Sequence, residues 1–351
     1  MTQNQPTFSI CIPNYNYGHL IGDTLQSVLD QSYPHFEIIV ADNASTDDSV
    51  AVVEKFKDPR IRLYQNRYNI GFAPNLQRVT QYAQNDLINL LSSDDQMKPG
   101  ALETFVEVIQ QAGADVNNVV LYSDTEYFDN DNRITGYQRK VPGAFDLQML
   151  TSPPAPSPDL KFEVYTGRDV LKGALSRLRA FAPMLSTVYS RALWQAVEGY
   201  NNTRTIGPDK HFGYKLLGQN PQVIYIARAL YRYRFLTSAN FATQFSTLKQ
   251  VSDDYLYTLE WSAKDLNALR LSPKGLIHTF IKKRVIEYAL RQLGKGHYAN
   301  GFRLFCYAFA SYPGTALRIP KTYAVLGLLM MGPLSKVVAP LLFRAYRNLS
   351  E

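Results

Sequence analysis

Leu90-Leu91-Ser92-Ser93-Asp94-Asp95-Gln96-Met97-Lys98-Pro99-Gly100 is the stretch whose reading decides the fold. Leu87, Ile88, Leu90 and Leu91 form a short apolar run that reads as a buried strand. The run delivers two adjacent carboxylates, Asp94 and Asp95. Lys98-Pro99-Gly100 then stops it, and a helical pattern opens at Ala101. A buried strand ending in paired carboxylates fixes negative charge at the mouth of a sheet. Such a pair suits a hard divalent cation, Mg2+ or Mn2+, which takes oxygen ligands and shares them with substrate phosphates. Taken by itself, Asp-Asp also reads as an ordinary strand-ending turn.

Upstream the same unit recurs. Residues 8–13 read as a buried strand followed by the loop Asn14-Tyr15-Asn16-Tyr17-Gly18, and Leu20, Ile21, Leu25, Val28 and Leu29 then repeat at helical spacing. Residues 36–40 are a second strand. Asp42-Asn43-Ala44-Ser45-Thr46-Asp47-Asp48 follows it and leads into a helix carrying Val50, Val53 and Phe56. Asn43, Ser45 and Thr46 are available to cap that helix, as is Asp42. Residues 61–64 are a third strand, 66–75 a polar loop containing Gly71, and about 74–83 a helix. This β-α-β-α-β-α-β order predicts a mostly parallel sheet with helices on both faces and ligands beyond the carboxyl ends of the strands. The polar clusters 14–17, 42–48 and 92–95 all follow strand ends, so they are expected to converge on one crevice. Neither Gly-x-Gly-x-x-Gly nor Gly-x-x-x-x-Gly-Lys-Ser/Thr is present, which removes the dinucleotide fingerprint and the P-loop.

Downstream, a helix is expected over 101–111 and a strand over 119–122 with Ser123-Asp124 at its end. Residues 125–160 look irregular, and the four prolines between Thr151 and Asp159 suit an extended connector or a substrate-facing lid. A helix over 167–179, a strand over 183–189 and a short helix over 191–197 lead to a turn at Gly199-Tyr200-Asn201-Asn202. Gly207-Pro208-Asp209 opens another helix, and Tyr231-Arg232-Tyr233-Arg234 follows a strand over 222–227. From about 250 the pattern is helical, over 255–269, 276–293, 299–310 and 323–343. The boundary is set near 245, giving units 1–245 and 246–351.

The 351 residues are 46% hydrophobic and 19% charged, as in a globular chain rather than a disordered one. The two cysteines, Cys11 and Cys306, sit far apart among apolar neighbours. That fits a reducing compartment, and so the cytoplasm, rather than a disulfide scaffold or cysteine zinc site. No basic-then-apolar leader opens the sequence. The net charge of +7 is uneven. Residues 271–351 hold 12 Lys+Arg and 2 Asp+Glu, a net +10, which leaves −3 for residues 1–270. Residues 323–343 are apolar but interrupted by Pro333, Lys336 and Pro340, so no run reaches the ~20 residues that span a bilayer. Apolar helices with excess basic charge suit the surface of an anionic membrane. A helical cap and a homo-oligomer contact are the alternatives. A nucleic-acid-binding protein is another reading of the basic charge, but no binding motif accompanies it, so no nucleic-acid partner is expected.

With these pieces in order, the chain resembles the inverting family-2 glycosyltransferases of the GT-A fold over roughly residues 7–240. Pro13-Asn14-Tyr15-Asn16 is similar to that family's Pro-x-Tyr-Asn, and Asp42-Asn43-Ala44-Ser45-Thr46-Asp47 to its Asp-(Asp/Asn)-x-Ser-Thr-Asp. Asn69-Ile70-Gly71-Phe72-Ala73-Pro74-Asn75 is similar to its Asn-x-Gly-x-x-x-Asn. Ser92-Ser93-Asp94-Asp95 falls where it has Asp-x-Asp-Asp, and Gly199-Tyr200 followed by Gly207-Pro208-Asp209 where it has Gly-(Phe/Tyr) and Glu-Asp. The resemblance implies a GT-A-type, Rossmann-like, mostly parallel sheet flanked by helices, with a helical C-terminal region beyond it. It implies transfer of a sugar from a nucleotide diphosphate sugar, with UDP the expected nucleotide. The acceptor would be a hydroxyl of a glycan or lipid-linked glycan in bacterial surface polysaccharide synthesis, on the cytoplasmic face of the membrane.

The resemblance also implies roles. Tyr15 stacks on the base, Asp42 accepts a hydrogen bond from it, and Pro13 shapes that pocket. Asn43, Asn69, Gly71, Asn75 and Ser93 belong to the nucleotide-sugar site. Asp94 ligates Mn2+ or Mg2+, with Asp95 beside it or on the donor sugar. Asp209 is the general base, and Arg234 stands where the family's Tyr-Arg-x-His element carries its His near the diphosphate. Arg cannot ligate a metal as His does, but it pairs with phosphate. Ser92 in place of an Asp and Pro208 in place of a Glu remove two carboxylates, so an inactive family member stays open as a reading. Asp209 also reads simply as an acidic residue favoured at a helix N-terminus, Tyr15 as a packing residue, and Arg234 as a solvated charge.

Overall fold

The structure is a computed structural model and describes residues 5–140, 147–152, 159–201, 207–235, 251, 255–256, 258–334 and 338. The chain divides into two compact units. One comprises Met1–Ala174 with Arg179–Thr237, the other Leu175–Leu178 with Ser238–Glu351. The boundary expected near 245 falls within 236–250, outside the described residues. So do 153–158 of the proline-rich stretch and most of 335–351.

The first unit is built on one sheet flanked by helices. Strands β1 (Phe8–Asn14), β2 (Phe36–Asp42), β3 (Ile61–Gln65) and β4 (Leu87–Leu90) alternate with helices α1 (Gly18–Leu29), α2 (Ser49–Lys55) and α3 (Phe72–Gln81). The four strands pair in parallel in the order β3-β2-β1-β4. They read as continuous apolar runs because helices cover both faces: Phe8, Ile10, Ile12, Ile38, Val40 and Leu87 are buried with Ile21, Leu25 and Val28 of α1. Beyond β4 and the short β5 (Gln96–Met97) come α4 (Ala101–Gln111), β6 (Val119–Phe128), β7 (Ile134–Lys140), β8 (Leu147–Leu150), β9 (Phe162–Thr166), α5 (Gly167–Leu175), β10 (Thr187–Ser190), α6 (Arg191–Ala196), α7 (Pro208–Gly218) and β11 (Gln222–Arg234). Antiparallel β10 sits between β4 and β6, and β11 lies parallel to β6. The α/β sheet with flanking helices is the fold class the sequence predicts, but its pairing is mixed rather than mostly parallel, because β5 and β7 to β10 pair antiparallel with their neighbours.

The second half of this sheet departs from the sequence reading. β6 does not stop at Tyr122, and 125–160 is not irregular throughout: β6 continues to Phe128, and β7, β8 and β9 add antiparallel strands. The polar residues that looked like loop are answered across the sheet. The Tyr225 hydroxyl donates to Asp124 at 2.6 Å, and Lys98 Nζ and Arg232 Nε donate to Glu126 at 2.6 and 3.2 Å. Likewise, 222–227 and Tyr231-Arg232-Tyr233-Arg234 are one strand, β11, bent by two irregularities between Ile226 and Tyr231. α3 opens at Phe72, two residues earlier than expected, because Gly71 turns the chain at φ +90°. The α2 cap also differs. Asp48 stands at the N-cap without a side-chain bond, while Asp47 accepts from the Ser49 N–H at 3.0 Å and the Gly18 N–H at 2.8 Å, tying the starts of α1 and α2 together.

The second unit is helical, as expected: Ala263–Ala268, Pro273–Phe280, Tyr298–Ser311, Pro313–Ala316 and Lys321–Met330, with a π-helical segment Ile281–Ile286 running on into Glu287–Gly294. Phe280, Ile281, Val285, Ile286, Leu293, Leu304 and Val325 are among its buried core. The single helix expected over 255–269 is broken at 260–262, because Ser262 caps a new one by accepting from Asp265 N at 3.1 Å. Ser272 does the same through Gly275 N at 3.0 Å, with Pro273 at the first helical position. Cys11 is buried, whereas Cys306 is exposed rather than set in apolar company. Among the described residues no helix is long and apolar enough to cross a membrane.

Gly199 joins α6 to the stretch before α7 at φ +64°, and an added Cβ would lie 2.6 Å from the Trp194 ring and 2.4 Å from Gln77 Oε1. That Gln77 oxygen accepts from the Tyr200 N–H. Gly199→Ala therefore combines left-handed strain with overpacking against a ring, and is expected to lower stability by about 2–4 kcal/mol in urea denaturation.

Candidate functional site

Parallel pairing brings the ends of β1 and β2 into register, Asn14 opposite Asp42. The buried Asp42 carboxylate gathers the two following loops. Its Oδ1 accepts from Asn14 Nδ2 at 2.8 Å and Ser45 Oγ at 2.5 Å, and its Oδ2 from Ser45 N at 2.9 Å. Ser45 Oγ in turn accepts from the Asn16 N–H at 2.9 Å, and Asn16 Oδ1 from Thr46 N at 2.8 Å. This network fixes the loop that carries Tyr15, which is 43% exposed at the rim. Pro13 lies just before it and accepts, through its carbonyl, from Ser93 Oγ at 2.7 Å.

Several residues expected on the nucleotide sugar are bonded to one another. Asn66 Nδ2 donates to both Asn43 Oδ1 and Asn75 Oδ1 at 2.9 Å, and Asn75 Nδ2 donates to Ala41 O at 3.0 Å. Asn43 Nδ2 donates to Asn69 Oδ1 at 2.9 Å, and Asn69 Oδ1 also takes the Gly71 N–H at 2.8 Å. Asn43 and Asn75 are buried, so their amides hold the β2 and β3 loops at a set height. Of this group Asn69 and Gly71 are the exposed members. Ser93 is likewise turned inward by its bond to Pro13.

β4 carries the carboxylate pair. The Thr24 hydroxyl on α1 lies 2.9 and 2.8 Å from the Ser93 and Asp95 carbonyl oxygens, pinning the turn after the strand. β5 then pairs antiparallel with β11, Gln96 against Arg232, which carries the end of β11 to the carboxylates. The Arg234 N–H donates to Asp95 Oδ1 at 2.9 Å and its Nε to the Asp94 carbonyl at 3.1 Å. Its guanidinium lies 4.4 Å over the Phe128 ring and 3.7 Å from Asp23. Arg234 is buried, not a solvated charge. Asp95 is 1% exposed, and among the described residues its Oδ2 has no hydrogen-bond partner.

Burial, and then the neighbouring Asp94 charge, hold the Asp95 carboxyl well above the ordinary range despite the Arg234 N–H. Half-buried Asp94 is also raised by burial, with Arg234 and His19 among the influences acting the other way. Three contributors are not legible as site residues, His19, Tyr127 and Tyr233, and Tyr17 of the 14–17 cluster joins them. The Tyr17 and His19 rings stack with centroids 6.0 Å apart, and those of Tyr127 and Tyr233 are 5.1 Å apart. Burial, and then the Asp95 or Asp94 charge, raise the Tyr17, Tyr127 and Tyr233 hydroxyls, which locates all three beside the pair. Alternation in Tyr-Arg-Tyr-Arg was the available signal for Tyr233. Nothing local marked Tyr127.

Asp209 stands in the first turn of α7 and lines a small cleft with Phe181, Met184, Thr187, Tyr189, Tyr200 and Phe212. Tyr200 stacks on Phe212 at 4.0 Å, and burial raises the Asp209 carboxyl above its ordinary range. Thr187, the first residue of β10, accepts through its carbonyl from Asn89 of β4 at 3.0 Å. Because β10 runs antiparallel to β4, its first residue lies at the carboxyl end of β4, the end that leads into Asp94 and Asp95.

Among the described residues no group of three or more His, Cys, Asp and Glu is gathered to hold a metal ion. Asp94, half-exposed, and Asp95, with its unpartnered buried oxygen, form instead a partial oxygen set. That set fits a hard cation drawing its remaining oxygens from a diphosphate. Raised carboxyl pKa values give the pH sign. Protons are held by folded Asp95 at pH values where the unfolded chain has released them, so stability falls as pH rises from about 4 through the folded-state value. Asp95→Asn keeps an oxygen for the Arg234 N–H and removes the charge. Without divalent cations it is expected to raise Tm at pH 7–8 and to leave it unchanged below pH ~4, read by calorimetry.

Comparison with known proteins agrees with this architecture. Residues 9–161 match the family model described as Glycosyl transferase family 2. The Escherichia coli UDP-Glc:alpha-D-GlcNAc-diphosphoundecaprenol beta-1,3-glucosyltransferase WfgD is 34% identical over 129 residues, 36% of this chain and 49% of that protein. The chain spans half or less of the curated relatives it matches, 31%, 45% and 49% of three of them. Among solved structures, Staphylococcus aureus TarS 1-349 in complex with UDP-GlcNAc is similar at TM-score 0.60 and 16% identity, over 95% of this chain and 89% of that one. The Pyrobaculum calidifontis mannosyltransferase PcManGT, in complex with GDP-Man and Mn2+, is similar at TM-score 0.52 and 16% identity, over 97% and 87%. At these identities the two structures speak to fold. The strand-end motifs, the sheet order and the family match agree: residues 9–161 are similar to a glycosyl transferase family 2 domain, and the fold is that of the two solved glycosyltransferases.

Proposed function

We propose that the chain is an inverting glycosyltransferase that moves a sugar from a nucleotide diphosphate sugar, UDP the preferred nucleotide, to a hydroxyl of a lipid-linked glycan in surface polysaccharide synthesis. Residues 1–245 are the catalytic unit and 246–351 a separate helical one. The observation that carries the reading is the convergence of Asp94, Asp95 and Arg234 at the carboxyl end of β4, beside the strand whose first residue lines the Asp209 cleft. WfgD, by its name, uses UDP-Glc on a diphosphoundecaprenol acceptor, which supports the donor and acceptor classes.

In this reading the Asp42 network presents Tyr15 to the base, and Asn69 and Gly71 border the sugar-nucleotide. Asp94, with Asp95 beside it, would hold Mn2+ or Mg2+, and a cation there neutralises charge developing on the leaving diphosphate. The Arg234 guanidinium adds a fixed positive charge behind the pair, and its backbone N–H keeps Asp95 oriented. Asp209, its carboxyl raised above the ordinary range by burial, takes the acceptor hydroxyl proton as the bond to the anomeric carbon forms on the face opposite the leaving group. Tyr200 and Phe212 exclude water around that carboxylate.

Thermal shift with UDP-, GDP- and dTDP-sugars, with and without Mn2+, tests the donor site. A UDP-sugar is expected to raise Tm with Mn2+ present, and Asp94→Ala to remove the metal-dependent part. Asp209→Asn is expected to retain donor binding while turnover falls by about 10²–10⁴-fold. Donor binding indifferent to Asp94, or full turnover in Asp209→Asn, would overturn the assignment.

A further inference from the structure

Helix Lys321–Met330 buries Thr322, Val325, Leu328 and Leu329 in the core of the second unit and turns its other side outward. Tyr323, Leu326 and Met330 are exposed there, Met330 to 80%. Leu317 before the helix and Leu334 after it extend the same apolar character. The Tyr323 hydroxyl donates to the Leu317 carbonyl at 3.0 Å, which joins the leading edge of the patch into one surface. A Cβ on Gly327 would meet nothing within 4 Å, so the middle of the face is open. A row of large apolar side chains left in water marks an interaction surface rather than a core helix.

Charge decides what covers it. From Tyr288 to Ser350 the sequence contains no Asp or Glu and eight Lys or Arg. Arg318 is exposed at the leading end of the patch, and Lys321 beside it shares its charge with Glu287 at 2.8 Å. A second copy docked on this face would set like charges against like. A bilayer with anionic headgroups would answer them, while its acyl boundary receives the apolar side chains. A ten-residue helix is about 15 Å long against a hydrocarbon core of about 30 Å, so it lies along the surface rather than crossing it.

We infer that the Tyr323–Leu326–Met330 face of this helix, with Leu317 and Leu334, docks on the surface of an anionic lipid bilayer, Arg318 meeting lipid phosphates. The inference goes beyond the transfer reaction and does not depend on it. Flotation with phosphatidylcholine vesicles, with and without phosphatidylglycerol, tests it on the full chain. The protein is expected to float with the phosphatidylglycerol vesicles, less so at high salt. Leu326→Glu/Met330→Glu, two exposed positions, is expected to weaken partitioning at least about tenfold with far-UV circular dichroism unchanged. Arg318→Glu is expected to weaken it less. Equal flotation with neutral vesicles, or undiminished flotation of the double variant, would overturn the inference. So would a dimer in light scattering that the double variant splits without any vesicle binding. Donor-induced thermal shifts in lipid-free buffer read the catalytic proposal separately.

Discussion

A carboxylate buried beside another carboxylate is the constraint on which the site depends. Asp95 is sealed under the turn after β4 with Asp94 next to it, and one backbone N–H, that of Arg234, answers its Oδ1. Two like charges in a low-dielectric setting raise each other's cost of ionising. Everything that delivers Arg234 serves to offset that cost: the β5–β11 pairing, the bends in β11, the Phe128 ring beneath both Arg232 and Arg234. The chain keeps a destabilising pair where an apolar turn would fold more easily. Under the proposed function, the pair supplies the negative charge a divalent cation needs at that spot.

The opposite logic governs the asparagines. Asn43, Asn66 and Asn75 form a neutral, largely satisfied network whose amides bond one another and the Ala41 carbonyl. Such a network sets the height of a loop without charging it. It leaves the exposed Asn69 and Gly71, together with Tyr15, to face whatever binds there. The Asp42 network does the same for the neighbouring loop through Ser45 and Asn16. The rim is therefore made from a rigid inner layer and a thin outer one, and the family motifs mix residues of both.

That mixture explains what the sequence could disclose. β1 to β4 and their helices were legible because each strand is apolar along its length and each helix keeps one buried stripe, so local pattern and tertiary role agree. Asp94 and Tyr15 are legible as residues of interest because they follow strand ends, and Asp209 through the resemblance of Gly207-Pro208-Asp209 to the family's Glu-Asp element. β6 past Tyr122 was not, since Asp124 and Glu126 look like loop until Tyr225, Lys98 and Arg232 arrive from up to about a hundred residues away. Tyr127 and Tyr233 gain their place only through packing near the carboxylates. Asn66 was missed for the same reason, its partners lying in two other segments.

The central claim is that the pair at the end of β4 is the diphosphate end of the donor site. Pulsed electron-nuclear resonance of Mn2+ bound with UDP tests this most directly. The account predicts phosphorus-31 couplings from both phosphates to the protein-bound ion, and their loss in Asp94→Ala. Protein-bound Mn2+ without phosphorus coupling, or couplings unchanged in Asp94→Ala, would contradict it.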